Sequence, residues 1–179
     1  MNMKQLYALL IILIVIYVGI NVGANGLNIL NSNDGNNTNN AVDGIAVGDS
    51  SFAKIDSFKA TKINNTAVKL VDPSTNLTIQ VEEIDSSSNV KSLYESQKEG
   101  SGITSSQEVD QNGVTAYFLY KEESDSYDTD IYFTKDNKNY LISGHNTTYE
   151  NSDSFINTCK EIIDTMHENG SSDGKINRF

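Results

Sequence analysis

The sequence predicts an α+β domain: an antiparallel β-sheet of about six or seven strands in meander order, with a short helix and a long C-terminal helix packed on it. One transmembrane helix is predicted before this domain. Three observations support the prediction of the domain. Apolar and polar residues alternate in short runs across residues 58–144, as strands require. Asn112-Gly113 is a strong signal for a two-residue hairpin. Residues 155–166 place apolar side chains at the spacing of one buried helix face.

The transmembrane helix is predicted over residues 6–24, which contain no charged side chain. A helix of that length is ~28 Å long, close to the ~30 Å hydrocarbon core of a bilayer. Lys4 precedes the segment and the next basic residue is Lys54. The positive-inside rule therefore places residues 1–5 in the cytoplasm and residues 25–179 outside. The chain is predicted to be a single-pass protein of the cell membrane with an extracytoplasmic domain.

A cleaved secretory signal is the alternative interpretation of the same segment. Val22-Gly23-Ala24 would be its small-residue cleavage site, and the chain would then be secreted after cleavage near Ala24. The apolar core over residues 6–20 is at the upper length limit for a signal, which favours the uncleaved anchor. Both interpretations make the remainder of the chain extracytoplasmic.

Residues 25–51 are predicted to be a flexible linker, because Asn, Gly, Ser and Asp dominate them and leave little apolar surface to bury. Residues 52–167 have a normal length for one domain, and residues 168–179 are predicted to be a disordered tail. Asn-x-Ser/Thr sequons are permissive glycosylation sites outside a membrane, and this composition gives about as many by chance. The sequons begin at Asn36, Asn64, Asn76, Asn146 and Asn169.

Three strands are predicted before the first helix, over residues 58–63, 67–71 and 77–81. The serines at 86–88 offer N-caps for a short helix that ends before Gly100. One face of this helix is predicted to carry Val90, Leu93, Tyr94 and Gln97.

Four further strands are predicted over residues 103–109, 114–120, 130–135 and 140–144. The second of these is apolar on both faces, which is typical of a central strand covered on both sides. Asn112-Gly113 forms the turn that leads into it.

The C-terminal helix is predicted to begin at an N-cap, Asn151 or Ser152, and to include His167 in its last turn before Gly170. Its buried face is predicted to contain Phe155, Ile156, Cys159, Ile162, Ile163 and Met166. Cys159 is the single cysteine, so no internal disulfide can form and the stability of the domain must come from its core.

The element order and three sequence stretches resemble the PsbP-like domains, which include the extrinsic photosystem II protein and many anchored or secreted prokaryotic relatives. The stretches are VKLVDPSTNLTIQVEEI, VDQNGVTAYFLY, and DNKNYLISG leading to CKEIIDTM. The resemblance covers about residues 52–167. It implies a non-catalytic binding or assembly factor, and it assigns no metal or partner-binding residue by position.

The net charge of the chain limits the kinds of molecule that it is expected to bind. The chain carries 24 acidic and 13 basic residues, for a net charge of −11. Such a surface repels nucleic acid and anionic headgroups, and it attracts cations or basic protein patches. An extracytoplasmic protein partner is therefore predicted, with no nucleic acid and no cofactor.

The densest acidic cluster lies at the predicted hairpin of residues 118–133. It contains Glu122, Glu123, Asp125, Asp128 and Asp130. Calcium prefers several carboxylate and carbonyl oxygens, so Asp125, Asp128 and Asp130 are candidate metal ligands. The cluster lacks the residue order of an EF-hand loop, and a solvated hairpin tip is the favoured interpretation.

His145 and Ser143 are the candidates for hydrolytic chemistry. An acyl-transfer site needs a serine, a histidine and an orienting acid together, usually with a strained nucleophile turn. No G-x-S-x-G motif occurs in the chain, so no catalytic residue is predicted. A surface-filament subunit is a further alternative, but Met3-Lys4-Gln5-Leu6 lacks the basic-Gly processing site of pilin-like proteins. The predicted function is a membrane-tethered, extracytoplasmic, non-catalytic binding or assembly module, not an enzyme.

Overall fold

The computed structural model describes residues 44–122 and 125–169. These residues form two antiparallel sheets and two helices, which confirms the predicted α+β class. The predicted transmembrane helix at 6–24 and residues 25–43 of the predicted linker lie outside them. Within the two described ranges, no helix combines the length and apolar character that crossing a bilayer requires.

The described residues contain ten strands and two helices. The strands are β1 (Gly44–Val47), β2 (Ser50–Ala53), β3 (Lys59–Lys62), β4 (Ala67–Val71), β5 (Thr78–Ile84), β6 (Ile103–Gln111), β7 (Val114–Glu122), β8 (Tyr127–Lys135), β9 (Lys138–Thr147) and β10 (His167–Glu168). The helices are α1 (Val90–Gln97) and α2 (Ser152–Thr165). The large sheet has seven strands in the order β3-β4-β5-β9-β8-β7-β6, and the small one has the order β1-β2-β10. The meander β6–β9 therefore returns to β5, and β3 and β6 form the two edges.

The turns of the meander follow from their residues. Asn112 and Gly113 have φ values of 51° and 84°, as a type I′ turn requires, so the predicted hairpin is confirmed. Asp136 and Asn137, with φ values of 52° and 60°, make the same kind of turn between β8 and β9. Both turns fix the register of the strands that they join.

Strand β7 is buried on both faces, as its sequence predicts. Residues 116–120 are all buried, with successive side chains pointing to opposite faces of the sheet. On one face, Tyr117 and Leu119 pack with Val90 and Tyr94 of α1. Helix α2 covers the other face. The two helices thus divide the core into two layers separated by the large sheet.

Helix α2 packs very closely on β9. A Cβ atom on Gly144 would overlap the ring of Phe155, and the Phe155 side chain is itself buried. Glycine at this position therefore sets the distance between helix and sheet. Ile162 and Ile163, near the C-terminal end of the helix, are fully buried in the same layer.

The predicted linker extends too far. Residues 44–51 fall within it, yet they form β1 and the first half of β2, and the domain begins before residue 52. Ser50 and Ser51 are buried in β2, where the Ser50 hydroxyl pairs with Tyr140 Oη at 2.7 Å. Polar residues at these buried positions hide the alternation that would indicate a strand.

The predicted C-terminal boundary is also wrong. Helix α2 ends at Thr165, and His167 and Glu168 form β10, which pairs with Ser51 and Ser50 of β2. The predicted helix ran on to His167, and the predicted tail began at 168. Thr165 Oγ1 donates to Glu161 O at 2.6 Å and accepts the Ala53 N–H at 3.1 Å. A local side-chain bond of this kind competes with helix continuation.

The N-cap of α1 is Asn89 and not one of the serines at 86–88. Asn89 Oδ1 accepts the backbone N–H of Ser92 at 3.1 Å, in the ordinary N-cap geometry. Ser87 donates its backbone N–H to Asp85 Oδ1 at 2.8 Å, in an Asx turn that precedes the helix.

Candidate functional site

Four of the predicted site residues, Asp128, Asp130, Ser143 and His145, meet on the α1 side of the large sheet, in the part of that face beyond α1. Asp128 and Asp130 are two apart on β8 and therefore share a face. In the strand register, Asp130 lies opposite Ser143 of β9 on one side and opposite Leu119 of β7 on the other. Leu119 belongs to the apolar cluster under α1, which ends at this point. We call the polar group that continues from there the charged strip. It consists of Lys121, Asp128, Asp130, Ser143 and His145.

The polar groups of the charged strip are paired with one another. Asp130 Oδ1 accepts the hydroxyl of Ser143 at 2.7 Å, and Asp130 Oδ2 lies 3.2 Å from Lys121 Nζ. His145 Nδ1 lies 3.3 Å from Asp128 Oδ1. The side chains of Lys121 and His145 remain 45% and 49% exposed, so the strip faces solvent. It is therefore an open surface that carries one lysine, two carboxylates, a hydroxyl and an imidazole.

A bulge brings His145 and Asp128 together. The pairing of β8 with β9 shifts between Tyr127 and Thr129, so that two residues of β9 face Asp128 alone. Such bulges re-aim side chains and are not visible as a sequence period. Lys121 is the one member of the charged strip that its sequence context does not predict. Its place on the same face as Leu119 follows from the strand period, but its pairing with Asp130 depends on the register.

The three candidate metal ligands do not converge. Asp125 is exposed in the β7–β8 connection, whereas Asp128 and Asp130 are paired with His145 and Lys121 respectively. The part of the chain that the structure describes contains no group of three or more His, Cys, Asp or Glu residues arranged to hold a metal ion. Glu123 lies outside that part, and the metal site stays a prediction.

The geometry of Ser143 and His145 differs from that of a hydrolytic site. Ser143 donates to Asp130, while His145 faces Asp128, so each is associated with a different carboxylate. In a serine hydrolase the histidine lies between the serine and the acid, where it can take the hydroxyl proton. The arrangement here orients the Ser143 hydroxyl toward a carboxylate and leaves His145 at the surface.

Cys159 is a core residue. Burial raises the pKa of its thiol well above the ordinary value, and its exposed fraction is 1%. The pKa of Tyr120 is also raised, mainly by burial and to a smaller extent by the nearby Cys159 thiol. Tyr120 Oη and Thr147 Oγ1 are buried and have no hydrogen-bond partner among the described residues. No sequence signal marks these two atoms.

A second polar cluster surrounds Lys138, at the opposite end of β9. Its Nζ lies 3.2 Å from Asp49 Oδ2, 3.2 Å from Glu83 Oε1 and 3.9 Å from Glu168 Oε1. Partial burial disfavours the charge, but the hydrogen bonds to Glu83 and Asp49 and their negative charges outweigh it, and the pKa of Lys138 is raised. The cluster ties the small sheet to the large one. Sequence separation hides it, because these partners are 30 to 89 residues from Lys138.

One open cleft adjoins this cluster, and a second lies close to it. The first, of about 540 Å³, is lined by Glu83, Asp85, Asp136 and Glu168 together with Lys138. The second, of about 570 Å³, lies between the loop at 85–89 and the turn at 136–137. Buried Asn139 holds that loop by donating to Asp85 O at 3.1 Å, so the polar groups there support the loop.

The sequons occupy varied positions. Asn64 and Asn76 are exposed in turns, and Asn169 follows β10. Asn36 lies outside the described residues, and Asn146 belongs to β9. Asn64 Oδ1 accepts both the backbone N–H and the hydroxyl of Thr66, at 2.8 and 3.1 Å. Glycosylation at these positions stays a prediction.

Comparison with known proteins gives structural neighbours and no sequence relatives. No family model and no curated protein sequence matches the chain. The fold is similar to that of cyanobacterial PsbP. That similarity is to the solution structure of the protein from Synechocystis sp., with 14% identity and a TM-score of 0.44 over 75% of this chain and 98% of the other.

A crystal structure from Bacteroides thetaiotaomicron is also similar, with 11% identity and a TM-score of 0.46 over 70% of this chain. The chain spans about half the length of that protein, 47%. At this level of similarity neither structure assigns a family or a function. Membership in the PsbP-like family stays a prediction.

Proposed function

We propose that the chain is a membrane-tethered, extracytoplasmic binding or assembly module that captures a protein partner without catalysis. The observation that supports this proposal is the charged strip. It presents a lysine, two carboxylates and a histidine on an open strand surface, next to a packed apolar cluster. Complementary charges on such a surface steer and orient a protein partner, while buried neighbours hold the strands rigid.

The pairing within the charged strip favours binding over hydrolysis. A catalytic base must reach the proton that it abstracts, in a site that excludes water. Ser143 and His145 are engaged with different carboxylates, and His145 is half exposed. Lys121 and Asp128, in contrast, are exposed enough to exchange their partners for groups on another protein.

Charge reversal at the two aspartates of the charged strip, together with exposed Asp125 of the β7–β8 connection, tests whether this surface binds the partner. The full chain with Asp125, Asp128 and Asp130 changed to lysine should capture less partner from detergent-solubilised membranes of its native host than the unchanged chain. The loss should be larger at low salt, where charges are screened least. The matched control reverses three exposed acids elsewhere, Asp56, Glu99 and Glu161, and thermal unfolding checks that each variant is folded.

The variant His145→Ala separates binding from hydrolysis. It should fold normally and keep the cellular role, and it should lose far less partner capture than the charge reversal does, because Lys121, Asp128 and Asp130 stay in place. Loss of the cellular role in this variant, together with its retention after charge reversal, would instead favour a hydrolase that uses His145.

The proposed location has its own test. Protease added to intact, cell-wall-free cells should remove residues beyond the predicted anchor and leave a short N-terminal stub in the membrane. The physical reason is that a single span at 6–24 with Lys4 inside exposes the rest of the chain outside. A full-length protected chain would contradict this orientation. A free form beginning at Asn25 would contradict the anchor.

A further inference from the structure

The two edges of the large sheet differ in how they are protected. Edge strand β3 has four residues, all exposed, and includes Lys59 and Lys62. Short length and lysine side chains are common devices that stop an edge from pairing with another chain. Edge strand β6 has nine residues and contains no lysine, proline or glycine. Its only irregularity is a register shift between Ile103 and Ser105, at one end.

The direction of the free backbone groups on β6 follows from its hairpin. Gln111 and Val114 flank the two-residue turn and form a hydrogen-bonded pair, after which such pairs alternate along the ladder. The backbone N–H and C=O groups of Ser106, Glu108 and Asp110 therefore point away from β7. Among the residues that the structure describes, β6 pairs with β7 alone.

The side chains along this edge indicate the charge of a partner. Thr104, Ser106, Glu108 and Asp110 are exposed on one face, while the alternating residues on the other face are half buried. Asp164 of α2 adds a carboxylate at the turn, where it accepts from the side-chain amides of Gln111 and Asn112. The edge thus combines outward-pointing backbone groups, which pair with no other strand in the described ranges, with negative charge at its C-terminal half.

We propose that β6 accepts an extended basic peptide segment of a partner protein as an added strand. Main-chain hydrogen bonds would supply affinity, and lysine or arginine at every second residue would face Glu108 and Asp110. A second copy of this chain fits less well. If two copies paired through β6 around a two-fold axis at Gln107, their Glu108 side chains would be diagonal neighbours and would repel each other. Each chain also has a net charge of −11, which opposes the pairing. This surface is separate from the charged strip, and the proposal does not depend on the membrane anchor.

The test uses a labelled peptide of alternating lysine and valine, nine residues like β6, and the full chain in non-ionic detergent. Fluorescence anisotropy measures the binding. Ser106→Pro removes one outward N–H without touching the β6–β7 ladder, and proline is tolerated on edge strands. The dissociation constant should rise about tenfold, the effect of one lost hydrogen bond, whereas the matched variant Ser106→Ala should leave it unchanged.

Three further arms separate strand addition from simple charge attraction. A probe with N-methyl groups on alternate amides should bind much more weakly, because it cannot complete the ladder. Glu108→Lys should weaken binding about fivefold at low salt, as loss of one charge pair implies, and Glu108→Gln should weaken it less. Near-UV circular dichroism of the tyrosines checks that Ser106→Pro is folded. If that variant unfolds, the methylated probe and the Glu108 variants decide the question.

Equal binding by the methylated and unmethylated probes would overturn the proposal, and so would equal effects of proline and alanine at Ser106 in folded variants. Absence of any binding of the probe would do the same. Sedimentation of the full chain tests the other occupant: a dimer that dissociates on Ser106→Pro would show that β6 pairs with a second copy instead.

Discussion

Replacement of Ile162 by aspartate is expected to unfold the domain. Ile162 is fully buried on the face of α2 that packs against the large sheet. An unpaired carboxylate buried at that position costs several kcal/mol. The total stability of an ordinary domain is about 5–15 kcal/mol, so the cost is comparable with it. The measurement is the near-UV circular dichroism of the tyrosines in the full chain, many of which are buried, as urea is added.

The control for this change lies one residue away. Glu161 is exposed on the same helix, so Glu161→Ala should alter the free energy of unfolding by no more than about 0.5 kcal/mol. If both variants had small and equal effects, α2 would not be docked on the sheet as described.

The change Gly144→Ala is expected to destabilise the domain by about 1–3 kcal/mol, the usual cost of overpacking a core. In an ordinary strand position the same change would be neutral or favourable, because glycine loses more backbone entropy on folding. Here the new methyl group would overlap the ring of Phe155, and β9 is a central strand with little room to shift. Urea unfolding of the full chain measures the difference.

A double-mutant cycle identifies the cause of that loss. Phe155→Leu alone should also destabilise, because it leaves a cavity beside Gly144. In the double variant the added methyl group occupies part of that cavity, so the combined cost should be clearly smaller than the sum of the two single costs. Additive effects would mean that the approach of Phe155 to Gly144 is not what the glycine permits.

Local sequence patterns predicted most of the large sheet. The apolar run at 116–120 identified a strand buried on both faces, and Asn112-Gly113 identified its hairpin, because both signals arise within a few residues. The predicted central position of that strand is wrong, since β7 lies next to the edge strand β6. The small sheet escaped prediction for the opposite reason. Strand β2 contains buried serines whose partners include Tyr140 and Asn169, far along the chain.

The sequence indicated the residues of the candidate site but not which of them form hydrogen bonds and ion pairs with one another. Asp128, Asp130, Ser143 and His145 stood out by residue type, but the pairs that they form depend on strand register. The bulge opposite Asp128 then decides which carboxylate meets His145. A period of two residues predicts which face a side chain occupies, and it carries no information about such a shift.

The small sheet has a mechanical consequence. Strands β1 and β10 lie on either side of β2, and because both are antiparallel to β2 they are parallel to each other. If residues 44 and 169 are pulled in opposite directions along the strands, β1 and β10 slide past β2, and their hydrogen bonds are loaded together and not one after another. Traction between the two ends of the domain is therefore resisted in shear by the hydrogen bonds that β2 makes with β1 and β10.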